Sequence, residues 1–327
     1  MNILITGGSG YIGSCLSKLF NDYYKKYNLF IIDDLSTGNK EVEKKIKAKF
    51  YYGKIDNVKL LNRVFLKNKI DLVIHLAAKA IVSDSVKNPN IYIKNNYISS
   101  VKFIDYCINQ NVTNFLFSST CNLYKFTNNK ITEKNKIQLN SPYAESKYKF
   151  EKYLHKLSKI KNNNFNFIIF RFFNVSGSYK NIGELHKRET HLIPNVIKSI
   201  INNKPLNIYG SKFKTKDGTS IRDYIHVKDI CSAFIKATQL LIKGKKIQYQ
   251  VFNLGSNKGS SILDIIKLVN LIYKIKLKIN FKNPREGDPP ILIASTSKAK
   301  KFFNWSPVNS SLEVIVKSNY KFYEKNN

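Results

Sequence analysis

The chain has 327 residues, 43% of them hydrophobic, and carries a formal net charge of +33. That length predicts about two domains, and no apolar run approaches the roughly 20 residues of a membrane-spanning helix. The charge invites a nucleic-acid reading, but only five of the 55 basic residues are arginines and the lysines are spread along the whole chain. A/T-rich codons account for that bias, whereas a nucleic-acid binder gathers its basic residues on one face. The N-terminal MNILITGGSGYIGS passes from a short apolar stretch into glycines, so no signal peptide is expected. Cys15, Cys107, Cys121 and Cys231 lack metal-ligand spacing and predict reduced thiols in a cytosol.

In chain order, residues 2–6 read as a buried strand and 12–26 as a helix. LFIIDD (29–34) is a second strand ending in acid. KIDLVIHLAA (69–78) and VTNFLFSST (112–120) are two more strands, with helical stretches before each. A helix over 142–159 precedes a strand in FNFIIFRFFNVSG (165–177). Strands alternating with helices predict an α/β fold with a doubly wound parallel sheet. Beyond 177 the rhythm changes, and 213–229 reads as irregular. The expected division is therefore 1–177 for a Rossmann-type domain and 178–327 for a smaller mixed α/β domain, with some late segments packing back on the sheet.

Two short patterns carry chemistry. TGGSGYIGS (6–14) holds Gly7, Gly10 and Gly13 between a strand and a helix. Glycines there let the backbone approach a pyrophosphate resting on the helix N-terminus. Asp33 ends the next strand, where an acid binds a ribose 2′-OH. With Asp34 it would repel a 2′-phosphate, so NAD is expected over NADP. The second pattern is SPYAESK (141–147), which places Tyr143 and Lys147 four apart and hence on one helix face. A free phenol is a poor base, with a pKa of about 10; a neighbouring cation favours its ionised form, making the pair a candidate acid–base catalyst.

With HLAA (75–78), SST (118–120), RFFNVSG (171–177), IGELHKRETHLIP (182–194), YGSKFKTKDGTSIRDYIHVKD (209–229) and PREGDPP (284–290), the chain resembles the extended short-chain dehydrogenases of the UDP-glucose 4-epimerase type along essentially its whole length. The resemblance implies Tyr143 as general base, Thr120 on the sugar 4-OH, and Lys147 on the nicotinamide ribose. It implies cofactor contacts at Gly7, Gly10, Tyr11, Ile12, Gly13, Asp33, Asp34, Ala77, Asn96, Ser118, Tyr143, Lys147 and Phe172. Substrate contacts are implied at Thr120, Asn174, Leu192, Tyr209, Arg222, Tyr224, Arg285 and Asp288. Arginine kept in a lysine-biased chain, as at Arg171, Arg222 and Arg285, suits sites needing a planar fork.

The implied reaction inverts C4 of a UDP-sugar through transient oxidation, rotation of the 4-keto sugar and hydride return, interconverting UDP-glucose and UDP-galactose. The alternatives are a related sugar-nucleotide enzyme, either a 4,6-dehydratase or an epimerase of N-acetylated or uronic UDP-sugars, and a noncatalytic NAD-binding sensor. Dehydratases usually carry Asp-Glu after the threonine, where this chain has Cys121 and Asn122. Leu292 corresponds to the residue that gates larger sugars. Departures from the family pattern stand at Lys54, Asn122, Leu123 and Lys125. The resemblance also implies a homodimer through helices near 92–109 and 145–158. His75 and His226 read as structural. His155, His186 and His191 lack ligand spacing, so no metal is expected; nor is a nucleic-acid or membrane partner.

Overall fold

The structure is a computed structural model that describes residues 1–185, 189–285 and 287–326. Its strands, in chain order, are β1 (Asn2–Thr6), β2 (Asn28–Asp33), β3 (Lys49–Tyr52), β4 (Leu72–His75), β5 (Asn114–Thr120), β6 (Asn166–Phe172), β7 (Asn174–Ser176), β8 (Leu206–Tyr209), β9 (Ile221–His226), β10 (Tyr249–Leu254), β11 (Gly259–Ser261), β12 (Ile279–Lys282) and β13 (Ile291–Leu292). Among the described residues, seven of them form one sheet in the order β10-β6-β5-β4-β1-β2-β3. The pairs β1–β2, β2–β3, β1–β4 and β4–β5 are parallel. The chain builds outward from β1 to β3, then returns to the other side of β1. That reversal creates the crevice at the carboxyl ends of the strands where doubly wound sheets bind ligands.

The central strands are apolar because both of their faces are covered. Ile3, Leu4 and Ile5 of β1 are all at 0% exposure. Leu4, Phe30, Val73, Phe103, Phe115, Phe150 and Phe167 belong to one packed core. Burying a side chain of this size contributes roughly 1.5–3 kcal/mol.

The chain forms two compact units: residues 1–123, 137–171 and 231–252, and residues 124–136, 172–230 and 253–327. The sequence predicts a boundary after 177 with some late segments packing back on the sheet; the chain returns to each unit more than once. Residues 231–252 join the first unit because β10 lies beside β6 at the sheet edge. In the second unit, β9 is the centre of a small sheet, flanked by β11 and β13 and paired in parallel with β7. The irregular reading of 213–229 holds for 213–220 and is corrected from 221, where β9 begins and a helix follows from Val227. Buried Arg222 and Asp223 interrupt the apolar signal of β9, and Asp223 accepts from the N–H groups of Ser256, Asn257 and Ala294. A second core in this unit packs Ile193 and Val196 against Ile208, Tyr224, Ile265 and Ile315.

Candidate active site

Within the first unit, β1 leads through Gly7 into the helix Tyr11–Tyr23. Gly7 has φ +72°, and a Cβ there would stand 2.7 Å from the Ala77 nitrogen. A Cβ on Gly13 would meet the Gly7 carbonyl oxygen at 2.2 Å. Both positions therefore require glycine for turn and helix to close together. Gly10 is the N-cap, and neither a side-chain cap nor a first-turn acid occupies the helix start. Tyr11 and Ile12 form its first turn, leaving a helix end suited to an anion.

Asp33 ends β2 at 8% exposure and accepts from the Ser9 N–H at 2.9 Å and the Leu35 N–H at 2.8 Å. Burial pushes its carboxyl up, while those two N–H groups oppose the shift. Asp34 beside it is exposed and accepts from the Ser36 N–H. Ser9 Oγ is buried without a hydrogen-bond partner among the described residues, a polar group that the sequence reading missed. Lys54 is exposed, and Asp56 accepts from Ser99 Oγ at 2.7 Å.

Thr120 ends β5, and Ser141 caps the helix Pro142–Ser158 by accepting from the Ala144 N–H. Proline at the first helical position needs no N–H partner there. Tyr143, at 8% exposure, packs edge-on to Tyr92 and lies near the Thr120 hydroxyl. Burial pushes its phenol well above the usual range; the Thr120 hydroxyl opposes this, and the Cys121 and Tyr92 charges add to it. Lys147 Nζ donates to the Ser118 carbonyl oxygen at 2.8 Å and lies 4.7 Å from the centre of the Phe117 ring. Burial lowers its pKa to about 7, with Glu151 opposing. The ammonium is taken by a carbonyl, and burial dominates the phenol.

Asn96, expected as a cofactor contact, uses its amide within the protein. Oδ1 accepts from the Lys79 N–H at 2.9 Å, and Nδ2 donates to the Lys79 carbonyl at 2.9 Å and to Ser146 Oγ at 3.1 Å. It thereby ties the loop carrying Ala77 to the Tyr143 helix. Ala77 N–H donates to Thr6 Oγ1, Ser118 Oγ donates to the His75 carbonyl, and Phe172 ends β6.

In the second unit the small sheet gathers residues distant in sequence. Asn174 pairs with Tyr224 in the β7–β9 register, and Leu292 pairs with Arg222 in β13–β9. Arg222 donates from Nη2 to Asp288 Oδ1 at 2.8 Å and from Nη1 to the Ile221 carbonyl. Burial pushes the Tyr224 phenol up, opposed by Arg222 and reinforced by Asp288. Tyr209 ends β8, with the Arg285 guanidinium 4.5 Å from its ring centre. Leu192 begins the helix Leu192–Ile201.

Three residues without ligand spacing nevertheless meet. Glu184, Glu189 and His191 place candidate metal-ligand atoms within 4.8 Å of one another. His191 Nδ1 lies 2.7 Å from Glu184 Oε1. Burial lowers the imidazole pKa, but the two carboxylates override it and raise it to about 10. The imidazole is thus held between two carboxylates. His186 lies outside the described residues. His75 and His226 are structural, the former bonded to Thr6 Oγ1 and Ser100 Oγ, the latter to Ser318 Oγ and the Lys228 N–H. Arg171 forms an ion pair with Glu151.

The NAD dependent epimerase/dehydratase family matches residues 3–255. The UDP-glucose 4-epimerase of Lactobacillus helveticus is 34% identical over 329 residues, covering 99% of this chain and 97% of its own length. That of Mycoplasma genitalium is also 34% identical, covering 98% and 96%. The crystal structure of UDP-glucose 4-epimerase from Bifidobacterium longum, in complex with NAD+ and UDP, superposes with a TM-score of 0.92 at 28% identity, covering 100% of this chain and 99% of its own. With its glycine turn, acid-ended second strand and Thr120–Tyr143 contact, this chain belongs to the NAD dependent epimerase/dehydratase family.

Proposed function

We propose that this chain interconverts UDP-glucose and UDP-galactose, with NAD as its cofactor. The observation that carries the reading is the placement of Thr120 at the end of β5 beside Tyr143, with Lys147 one helical turn along. The residues fit NAD. Gly7 and Gly13 leave room that a Cβ would fill, the Tyr11–Tyr23 helix start has no side-chain cap, and Asp33 with the unpartnered Ser9 Oγ supplies polar groups at the second strand. Asp33 and Asp34 favour a free ribose hydroxyl over a 2′-phosphate, hence NAD over NADP. Tyr11, Ile12, Ala77, Asn96, Ser118 and Phe172 complete the proposed cofactor set, with Asn96 acting through Lys79 and Ser146.

NAD, when bound, supplies an acceptor for the C4 hydride and a donor that returns it to the opposite face. Tyr143 takes and gives back the proton of the 4-OH. Thr120 orients that hydroxyl. Lys147 holds the nicotinamide ribose and stabilises negative charge on the phenol. Asn174, Leu192, Tyr209, Arg222, Tyr224, Arg285 and Asp288 hold the UDP-sugar, with Arg222 presenting a forked donor to anionic oxygen. Leu292 bounds the sugar and sets whether N-acetylated hexosamines enter. Cys121 and Asn122 cannot provide the acid pair of a dehydratase.

A homodimer through helices near 92–109 and 145–158 accords with Ile91 and Ile98 standing half exposed. No helix among the described residues is long and apolar enough to cross a membrane. The four cysteines are buried thiols outside any disulfide, in keeping with a reducing cytoplasm. The test is incubation with UDP-galactose without added reductant. UDP-glucose is the expected product; a UDP-4-keto-6-deoxy sugar indicates a dehydratase, and bound NAD without turnover indicates a sensor.

A further inference from the structure

Along the helix Pro142–Ser158, Tyr143, Lys147 and Glu151 follow at four-residue spacing and share one face. Their exposures are 8%, 3% and 1%. The reaction as described makes no use of Glu151. Arg171 on β6 grips its carboxylate with both arms, Nε to Oε1 at 3.0 Å and Nη2 to Oε2 at 2.6 Å. A buried ion pair contributes little to stability by itself, because desolvating two charges offsets most of their attraction. Arg171 is also one of five arginines in a lysine-biased chain, and lysine cannot form the fork.

We propose that Glu151 and Arg171 are a positioning pair that sets how firmly Lys147 holds its proton. The proposal rests on the reading of Lys147 as the ribose and phenol partner. Tyr143 and Glu151 stand one turn to either side of Lys147 on its own helix. From β5 it meets the Ser118 carbonyl and the Phe117 ring. From β4 it meets His75, which stays uncharged because burial lowers its pKa to about 3, with the Lys147 charge adding to the shift. Arg171 acts from β6 through its grip on Glu151. Glu151 is the carboxylate that opposes the burial of Lys147, and the Arg171 guanidinium is its ion-pair partner.

The two members act with opposite sign, and that is the test. Glu151→Gln removes the carboxylate that favours the ammonium, so Lys147 should lose its proton at lower pH. Arg171→Met leaves the carboxylate acting alone, so Lys147 should keep its proton to higher pH. The holoenzyme is passed through gel filtration from pH 6 to pH 10, and retained NAD is measured alongside the alkaline limb of turnover. The midpoints are expected to move in opposite directions, by roughly one unit each. A clip that merely joins the helix to β6 would weaken both variants alike without moving either midpoint, and that result overturns the proposal. Should a single variant fail to fold, the double variant Glu151→Gln/Arg171→Met is measured. Its midpoint should fall below wild type, since the member acting on Lys147 is gone; an unchanged midpoint overturns the proposal. Lys147→Met is the control: if it retains NAD as wild type does at every pH, the reading of Lys147 itself fails, whereas an effect there with unmoved pair variants sinks the pair alone.

Discussion

Lys147 donates its Nζ proton to the carbonyl oxygen of Ser118 at 2.8 Å, so the strand that ends in Thr120 and the helix that carries Tyr143 are joined by a buried cation. Lys147→Met removes that charged donor, with a loss of about 1.5–3 kcal/mol. NAD affinity is expected to fall about 10- to 150-fold, as measured by titration calorimetry, with the circular dichroism spectrum unchanged.

Tyr143→Phe keeps the ring packed against Tyr92 and removes the hydroxyl near Thr120. Turnover should drop by about 10²–10⁴-fold, the usual effect of losing a general acid–base group. UDP binding should persist. Near-wild-type turnover would remove Tyr143 from the mechanism.

Arg222 pairs with Asp288 at 2.8 Å while its other arm holds the Ile221 carbonyl. Arg222→Lys retains charge and loses the planar fork. UDP affinity should weaken by about 1–3 kcal/mol, and unchanged calorimetry would make Arg222 purely structural.

Gly13→Ala would place a methyl group 2.2 Å from the Gly7 carbonyl. Backbone cannot yield there as a flexible side chain does, so the turn must open. The purified variant should carry little or no NAD, read from the absorbance of the acid-released nucleotide.

His75 gives a stability prediction with a definite sign. Burial lowers its pKa to about 3, with the Lys147 charge contributing, while an unfolded imidazole titrates near about 6.5. Between those values the unfolded chain binds a proton that the fold excludes, so stability rises with pH. The contribution is present above about pH 6.5 and is lost as pH falls toward 3. His75→Phe should fold less stably at pH 7, because the Thr6 and Ser100 hydroxyls lose their partner. Its stability should also fall less steeply with acid. Urea midpoints from pH 4 to pH 7 measure both effects.

Much was legible in the sequence wherever the cause is local. The apolar runs of β1, β2, β4 and β5 are strands because both sheet faces must be covered. The glycines of 7–13 mark a turn that no side chain fits, and the spacing of Tyr143 and Lys147 places them on one helix face wherever that helix packs. Tertiary structure alone decided which buried charge meets which partner. Nothing within 213–229 announces that Asp223 will be satisfied by N–H groups of residues 256, 257 and 294, so β9 reads as a loop. The register of β7, β9 and β13 brings Asn174, Arg222, Tyr224 and Leu292 onto one small sheet. Arg171 and Glu151 stand 20 residues apart, and Lys147 faces Ser118 rather than the phenol of Tyr143. Periodicity resides in the chain itself, but the partner of a buried charge is fixed by which segments fold against it, and burial then sets the protonation of Tyr143, Lys147 and His75.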